Sequence, residues 1–336
     1  MNILISSYNF YPDVGGIEFV SSTLAYELLS LGHEVKLITQ TLATDTKCFP
    51  FEVIRQPQPQ QLFNLVRWCN IYFHNNISLQ SVWPLLLIRR PWIVAHQTWI
   101  ARVNGSLSWR DYLKRFLIQF ATCISISQAI AEHLSTPSIV IGNPYRDDLF
   151  YEMPEIHRNK ELVFLGRLVS DKGVDLLIAA LGQLQAQGLF PQLTIIGTGS
   201  EEDFLRALAR TAGVFNQVNF VGTKTGTELV GLLNMHKIMV VPSRWLEPFG
   251  IVALEGIACG CVVVGSEEGG LKDAIGPCGV TFPNSDLQAL TQILADLLLN
   301  SQRLATYKAK ADTHLSRYKK TAVAKAYLQI FENAAK

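Results

Sequence analysis

Two glutamates lie eight residues apart in the segment PSRWLEPFGIVALEG, which runs from Pro242 to Gly256. Glu247 follows a predicted apolar strand and stands in a loop, and Glu255 lies within a helix predicted over 250–258. The amides of residues 249–252 would be free at the start of that helix. Free amides and the helix dipole bind phosphate there, and a carboxylate can hold two vicinal hydroxyls. The spacing predicts a site for a phosphorylated ligand that carries a sugar.

The same segment also fits a simpler structure, a helix with an acid near its start and one exposed glutamate. Pro248 is a residue type that the beginning of a helix tolerates. Gly250 favours the ligand hypothesis, because a residue without a side chain lets the backbone approach a bound group closely. The choice between the two interpretations depends on whether the rest of the chain supplies the other parts of a phosphate site.

A second loop supplies two cations. The segment GRLVSDKG begins at Gly166 and ends at Gly173, between a strand predicted over 162–165 and a helix that begins at Val174. Arg167 could bind phosphate oxygens in a bidentate manner, and Lys172 would add a compact positive charge. An ordinary charged surface loop is the alternative. Combined with the first segment, this loop predicts a diphosphate site.

Two further glycine pairs follow predicted strands. Gly15 and Gly16 precede a helix predicted over 17–31, where they either lie beside a ligand or form a tight turn with positive φ. Gly197 and Gly199 resemble a dinucleotide loop, but the next predicted strand, 218–222, lacks the acid that such a site requires. We therefore interpret the second pair as a turn beside the nucleotide, and a NAD-dependent enzyme is disfavoured.

These loops need parallel strands and helices to position them. Strands are predicted over 2–6, 34–39, 70–73, 92–95, 123–127, 139–141, 162–165, 193–196, 218–222, 238–241 and 261–265. Helices are predicted over 17–31, 108–120, from 127, from 174, from 201, and over 250–258, 286–299, 301–315 and 320–333. Residues 41–61, with three prolines, are predicted to be irregular. The alternation predicts an α/β protein with parallel sheets.

The pattern E-P-F-G-I-x-x-x-E, from Glu247 to Glu255, resembles the signature of retaining GT-B glycosyltransferases of family 4 (glycosyltransferase group 1). The resemblance covers nearly the whole chain and is strongest over 160–283. It implies two Rossmann-like parallel-sheet domains that face a central cleft. The N-terminal, acceptor-side domain would comprise 1–145 plus 318–336, and the nucleotide-sugar domain 146–317. Gly142-Asn143-Pro144 would be the hinge, where the family usually has Pro-Asn-Gly.

The resemblance also implies roles for individual residues. Glu255 would hold the ribose, Glu247 would lie beside the donor sugar, and Arg167 and Lys172 would neutralise the diphosphate in place of a metal. The implied catalytic set is Arg167, Lys172, Glu247 and His96, with no metal ligand. The implied donor-binding set is Gly15, Gly16, Gly166, Gly197, Val221, Gly222, Phe249, Gly250, Ile251, Val252 and Glu255. A loop at 269–271 is expected near the sugar.

His96 follows a predicted strand at the carboxyl end, where ligands bind in open α/β sheets. A histidine in this place can equally be an ordinary hydrogen-bonded residue. The resemblance favours a role at the transfer centre, either holding a sugar hydroxyl or polarising the reacting group.

The expected activity is that of a metal-independent retaining hexosyltransferase without cofactor. The expected donor is UDP-glucose or another UDP-hexose, and GDP-mannose is the second choice. The acceptor would be a hydroxyl of a glycan, a lipid-linked molecule or a small molecule, as in polysaccharide or glycoconjugate biosynthesis. A catalytically silent partner subunit and a nucleotide-sugar 2-epimerase of the same fold are the alternatives.

Composition limits the partners. The 336 residues carry a net charge of +1, which gives no general signal for nucleic acid. The six cysteines, without a C-x-x-C pair, are expected to be reduced, buried thiols of a cytoplasmic protein. Neither a signal pattern nor a bilayer-spanning run is expected. The segment 89–120 mixes six basic residues with aromatic ones (Arg89, Arg90, Arg102, Arg110, Lys114 and Arg115), so it either contacts the inner face of a membrane or forms a solvated helix.

Overall fold

The structure, a computed structural model, describes residues 1–13, 15–42, 47–101 and 105–336. The chain divides into two compact units, 1–144 with 320–336, and 145–319. The first boundary follows the predicted hinge tripeptide. Each unit contains one parallel sheet covered by helices, which confirms the predicted fold class. Within the described ranges, no helix is long and apolar enough to cross a membrane.

The first unit has a seven-stranded sheet in the order β3-β2-β1-β4-β5-β6-β7. Its strands are β1 (Asn2–Ser6), β2 (Glu34–Thr39), β3 (Glu52–Arg55), β4 (Ile71–Asn75), β5 (Trp92–His96), β6 (Thr122–Ser125) and β7 (Ser138–Val140). Its helices are α1 (Gly16–Ser30), α2 (Pro59–Trp68), α3 (Leu79–Val82), α4 (Trp109–Leu117), α5 (Gln128–His133) and α14 (Lys320–Ala335). The strand order reverses direction between β1 and β4.

The second unit has a six-stranded sheet in the order β10-β9-β8-β11-β12-β13. Its strands are β8 (Lys160–Leu165), β9 (Leu193–Ile196), β10 (Val218–Phe220), β11 (His236–Val241), β12 (Val262–Ser266) and β13 (Gly279–Phe282). Its helices are α6 (Val174–Ala186), α7 (Glu202–Thr211), α8 (Gly226–Asn234), α9 (Ile251–Ala258), α10 (Leu271–Ile275), α11 (Leu287–Leu299), α12 (Ser301–Lys308) and α13 (Ala311–Leu315). Here the order reverses between β8 and β11.

The central strands of each sheet are largely apolar and buried because helices cover both faces of the sheet. Val262, Val263 and Val264 of β12, for example, are fully buried. Runs of this kind are typical of parallel sheets with helices on both sides. The C-terminal helix α14 belongs to the first unit, where Tyr327 and Phe331 pack against Phe73 of β4, with ring centroids 5.6 and 5.3 Å away.

Several expectations about local structure are wrong. Within 41–61, the described part contains β3 and the start of α2, because Ile54 is buried in the sheet and Pro59 occupies the first helical turn. Residues 43–46 lie outside the described ones. The stretch 301–315 forms two helices rather than one. Cys48 is exposed, whereas the other five cysteines are buried free thiols, as predicted.

Candidate functional site

The loops after β8 and β11 flank the point where the strand order of the second unit reverses. In open α/β sheets, ligands bind outside the carboxyl ends of the strands at such a point. The structure places the predicted Arg167 and Lys172 on the first loop and Glu247 on the second. The topology of this unit therefore brings these three predicted site residues to one place.

An ion pair joins the two loops. The Lys172 ammonium lies 2.5 Å from the Glu247 carboxylate, and both side chains are about one-fifth exposed. The Ser243 hydroxyl donates a second hydrogen bond to the same carboxylate oxygen, at 2.9 Å. The pair balances the charge of Glu247 and fixes its orientation. Arg167 is exposed and belongs to none of the salt bridges of the described residues.

Arg244 holds the two loops together, a role that sequence reasoning missed. Its guanidinium binds the Asp175 carboxylate through two contacts, at 2.5 and 2.6 Å, and donates to the Ser170 carbonyl at 3.2 Å. Its own amide and that of Trp245 donate to the Asp171 carbonyl. These contacts position the loop that carries Lys172. The sequence shows a cation near Glu247, but its partner Asp175 on α6 is identified only in the structure, where the two loops are in contact.

Glycine makes this close approach possible. Gly173 has φ +68°, and a Cβ atom there would lie 2.0 Å from the Pro242 carbonyl oxygen of the neighbouring loop. A Cβ at Gly197 would lie 1.9 Å from the Gly166 carbonyl oxygen. The loops after β8, β9 and β11 thus pack backbone against backbone.

The turn after β10 completes this edge. The Gly197 amide donates to the Gly222 carbonyl at 2.8 Å, and the Val221 amide donates to the Ile195 carbonyl at 3.1 Å. Val221 and Gly222 are half-buried. The structure therefore places both residues beside the Gly197 turn.

The segment that carries the two glutamates forms a loop followed by α9. Gly250 caps the helix with φ +99°, and no side chain caps it, so the amides of Ile251 and Val252 have no side-chain acceptor at the cap. Phe249 is buried and packs against Tyr318. It therefore anchors the segment through its side chain.

The loop after β12 meets the same segment. The Gly270 amide donates to the Glu247 carbonyl at 2.7 Å, and Gly269 has φ +87° beside that residue. The expected loop at 269–271 therefore lies next to Glu247, although Leu271 already belongs to α10.

Glu255 lies on α9 and is half-buried. Burial raises the pKa of its carboxyl to about 7, and the positive charge of Arg146 opposes that rise only in part. None of the salt bridges among the described residues involves Glu255. A desolvated carboxyl with a strongly shifted pKa is a common feature of functional sites. Arg146 was also missed, because its proximity to Glu255 is a tertiary feature.

His96 and the Gly15–Gly16 pair lie in the first unit. His96 is the last residue of β5 and is fully buried, with no hydrogen bond from either ring nitrogen to the described residues. Burial lowers its pKa to about 4, so the ring is neutral at pH 7. Gly15 has an extended conformation with φ −171° and Gly16 begins α1, so the alternative of a turn with positive φ at this pair is wrong.

A buried polar network ties together the carboxyl ends of the strands in the first unit. Asn75 donates to the Ser21 hydroxyl at 2.6 Å, and Ser21 donates to Ser7 at 2.7 Å. Gln97 donates to Asn75, and Asn143 of the predicted hinge tripeptide donates to Gln97, both at 2.8 Å. This network went unnoticed in the sequence because its members are scattered over the whole unit.

The segment 89–120 contains α4, which begins with a capping box formed by Ser108 and Asp111. No residue of α4 is buried, and Trp109, Tyr112 and Phe116 are 69, 63 and 55% exposed. Arg102 of the predicted basic set lies outside the described residues. A helix with this many exposed aromatic residues offers a binding surface.

A family model for glycosyl transferases group 1 matches residues 146–314, which is half of the chain. The chain belongs to this family. The match spans the whole β8–β13 sheet, including the loops that carry Arg167, Lys172, Glu247 and Glu255. The predicted family is confirmed.

Curated relatives of this group 1 member match over part of their length. It is 40% identical over 140 residues to a glycogen synthase of Mycobacterium tuberculosis, covering 41% of this chain and 34% of the relative. It is 34% identical over 156 residues to a GDP-mannose-dependent monoacylated α-(1-6)-phosphatidylinositol monomannoside mannosyltransferase of Corynebacterium glutamicum, covering 44 and 40%. The chain thus spans about a third to two fifths of these two relatives.

Solved structures share the fold over nearly the full length. Sucrose-phosphate synthase from Thermosynechococcus elongatus is similar with a TM-score of 0.80 at 19% identity, covering 99% of this chain and 98% of that one. The Anabaena protein HepE in complex with UDP is similar with a TM-score of 0.83 at 19% identity, covering 99 and 100%. At this identity the similarity establishes the GT-B fold alone.

Proposed function

We propose that this protein is a retaining glycosyltransferase that moves a hexose from a nucleotide diphosphate sugar to a hydroxyl acceptor without a metal. The observation that carries the proposal is the Lys172–Glu247 pair at the reversal point of the β8–β13 sheet, with the exposed Arg167 on the same loop and Glu255 on α9. Membership of the group 1 family supports a transferase.

In the proposed donor complex, Arg167, Lys172 and the first amides of α9 bind the diphosphate. The Glu255 carboxylate accepts hydrogen bonds from the ribose hydroxyls. Negative charge grows on the diphosphate as it leaves, so fixed positive groups stabilise the transition state more than the ground state. The Lys172–Glu247 pair is suited to this role, because Lys172 stays oriented while Glu247 faces the sugar.

The proposed transfer forms one bond and breaks one. The acceptor oxygen bonds to the anomeric carbon as the bond from that carbon to the diphosphate oxygen breaks. The acceptor proton moves to the departing diphosphate, so the nucleoside diphosphate leaves with the bonding electron pair. Attack from the side of the leaving group retains the configuration, and no protein base is needed. The role proposed for His96 is to orient a sugar hydroxyl as a neutral ring.

The donor is proposed to be a UDP-hexose, with a GDP-hexose as the next choice. The HepE complex with UDP-glucose supports the first, and the GDP-mannose-dependent relative supports the second. Val221 and Gly222 are proposed to hold the base through backbone groups, which would explain why no side chain identifies it. Gly15 and Gly16 are proposed to lie near the diphosphate and the acceptor.

The exposed aromatic face of α4, with Arg110 and Lys114 on the same helix, supports a peripheral contact with anionic membranes as a further proposal. Tryptophan and tyrosine favour the interface between headgroups and hydrocarbon.

Donor hydrolysis tests the reaction without knowledge of the acceptor. UDP-glucose and GDP-mannose would be incubated with the protein in EDTA, and the anomeric proton of the released sugar followed by NMR before mutarotation. We expect the α-anomer to appear first. One of the two nucleotide sugars should be hydrolysed at least tenfold more slowly than the other. Initial release of the β-anomer would exclude retention, and a strict need for added Mg²⁺ or Mn²⁺ would exclude metal independence.

Variants connect that reaction to the site. Arg167→Ala and Lys172→Ala should each lower the hydrolysis rate by about 10²- to 10³-fold, the range for one preorganised electrostatic donor. Arg303→Ala is the matched control, because Arg303 is an exposed arginine of the same unit whose side chain forms a surface ion pair with Asp296. Equal hydrolysis rates for all three variants would contradict the roles assigned to Arg167 and Lys172.

A further inference from the structure

The first unit contains a polar cavity of about 590 Å³ at its own reversal point, between the loops after β1 and β4. Asn76, Ser78 and Gln80 line one side, and Trp109 lines another. Amide and hydroxyl groups beside an aromatic ring suit a hydroxyl-rich ligand, since the polar groups orient it and the ring covers its apolar face. The position is the one where open α/β sheets bind ligands.

Two cations face this polar cavity from α4. Arg110 and Lys114 line it, and neither belongs to a salt bridge in the described part of the chain. Arg110 lies over the Trp109 ring, 5.5 Å from its centroid, which holds the guanidinium near the cavity. Two cations without carboxylate partners in one cavity favour an anionic group such as a phosphate.

A second cavity, of about 650 Å³, lies on the other side of α4 and is lined mainly by apolar residues. Its walls include Leu85, Leu113, Leu117 and Phe120, and Arg89 and Arg90 also line it. Leu113 and Phe120 are 38 and 70% exposed, so the cavity opens to solvent through apolar groups. Exposed apolar surface of this kind marks a binding site for another apolar group.

The two cavities adjoin each other. Leu79 lines both, and α4 lies between them, with Arg110 and Lys114 facing the polar cavity and Leu113 and Leu117 facing the apolar one. One molecule with a polar anionic end and a hydrocarbon end would satisfy both. Each volume lies within the range of roughly 300–1,000 Å³ that is common for small-molecule sites.

We propose that the two cavities together hold one amphipathic acceptor: an anionic lipid whose phosphate-bearing, hydroxylated head occupies the polar cavity and whose hydrocarbon chain occupies the apolar cavity. The proposal rests on the transferase function proposed above, because it names the substrate that receives the sugar. It accounts for the position of the exposed leucine and aromatic residues beside Arg110 and Lys114, which form no salt bridge within the described ranges and which a small polar acceptor would leave unexplained.

The probes are octyl phosphate, dodecyl phosphate, neutral dodecyl glucoside and inorganic phosphate, each kept below the concentration at which it forms micelles. Binding to the full chain would be followed by calorimetry. We expect dodecyl phosphate to bind with one-to-one stoichiometry, because each buried methylene contributes about fourfold in affinity. Octyl phosphate, dodecyl glucoside and inorganic phosphate should each bind at least tenfold more weakly than dodecyl phosphate.

Variants separate the two ends of the ligand. Leu113→Gln should reduce the preference for the longer chain, and Arg110→Gln combined with Lys114→Gln should remove the preference for phosphate over glucoside. Leu299→Gln and Lys325→Gln are the controls, because both side chains are exposed and line neither cavity. Binding that these controls weaken as much as the cavity variants do would overturn the proposal.

Three results would contradict it. Dodecyl phosphate that does not bind, while nucleotide binding and donor hydrolysis are intact, would overturn this inference and leave the transferase proposal standing. Binding only to vesicles of anionic lipid, and never to monomeric amphiphile, would mean a membrane-contact surface instead of an acceptor cavity. Binding of dodecyl phosphate by a chain that binds no nucleotide would retain the lipid site but remove its role as an acceptor site.

Discussion

Glu255 is expected to lower the stability of the free protein while it supports ligand binding. In the folded chain its pKa is about 7, against an ordinary value of 4.5. At 1.36 kcal/mol per tenfold change in proton affinity, this rise corresponds to at most about 3 kcal/mol of lost stability once the carboxyl is ionised in both states. Solvent screening of the half-buried side chain reduces this loss of stability, and we expect a loss of about 1–2 kcal/mol.

The direction in which stability changes with pH follows from proton binding by the Glu255 carboxyl. Between pH 4.5 and 7 the folded state holds the Glu255 proton more tightly than the unfolded state does, so stability falls as the pH rises through this window. The penalty is absent below the unfolded pKa and complete above the folded one. Glu255→Gln removes the ionisation and should therefore stabilise the protein at pH 8 but not at pH 4.5.

Thermal unfolding of the wild type and Glu255→Gln at both pH values measures this difference. We expect the variant to melt about 2–8 °C higher at pH 8 and within about 1 °C of the wild type at pH 4.5, given about 2–4 °C per kcal/mol for a domain of this size. Glu228→Gln, an exposed glutamate on α8, is the control and should change little at either pH. A variant that melts no higher at pH 8 would refute the argument that Glu255 is desolvated.

Two further substitutions test the loop geometry. Arg244→Ala removes the bidentate contact with Asp175, so we expect donor hydrolysis to be about tenfold slower. The loss of stability should stay below about 1 kcal/mol, because the ion pair is partly exposed. An unchanged hydrolysis rate would mean that the loop carrying Lys172 does not need this contact. Gly197→Ala would place a Cβ 1.9 Å from the Gly166 carbonyl oxygen and should destabilise the chain by more than about 3 kcal/mol in thermal unfolding. Gly188→Ala, also at positive φ but with open space around it, should cause a loss of only about 1 kcal/mol; equal losses would show that backbone strain, not contact, decides the effect.

In the second unit, the elements that follow local rules of apolar runs, glycine loops and amphipathic spacing were predicted, whereas β13 and α8 were not. The strand at 193–196 and the helix that begins at Val174 are placed correctly. The segment 41–61 fails because β3 is short and its stability comes from pairing with β2, a contact that local propensity does not contain. Its prolines also favoured a loop, although Pro59 begins a helix.

The candidate site was predictable in its residue types and less so in its contacts. Glu247 and Lys172 were identified separately, but their ion pair depends on the strand order that places β11 beside β8. The raised pKa of Glu255 depends on burial, which a single segment does not determine. A turn with positive φ was one of two alternatives for Gly15, and the structure excludes it because Gly15 is extended and caps α1.

The most direct test of the central claim is calorimetric titration with UDP, GDP, ADP and NAD in EDTA. The account predicts that one nucleoside diphosphate binds in a one-to-one complex, and that Arg167→Ala and Glu255→Ala each weaken it by at least tenfold, while Arg303→Ala does not. Preferred binding of NAD, or equal affinity in all three variants, would contradict the assignment of the donor site.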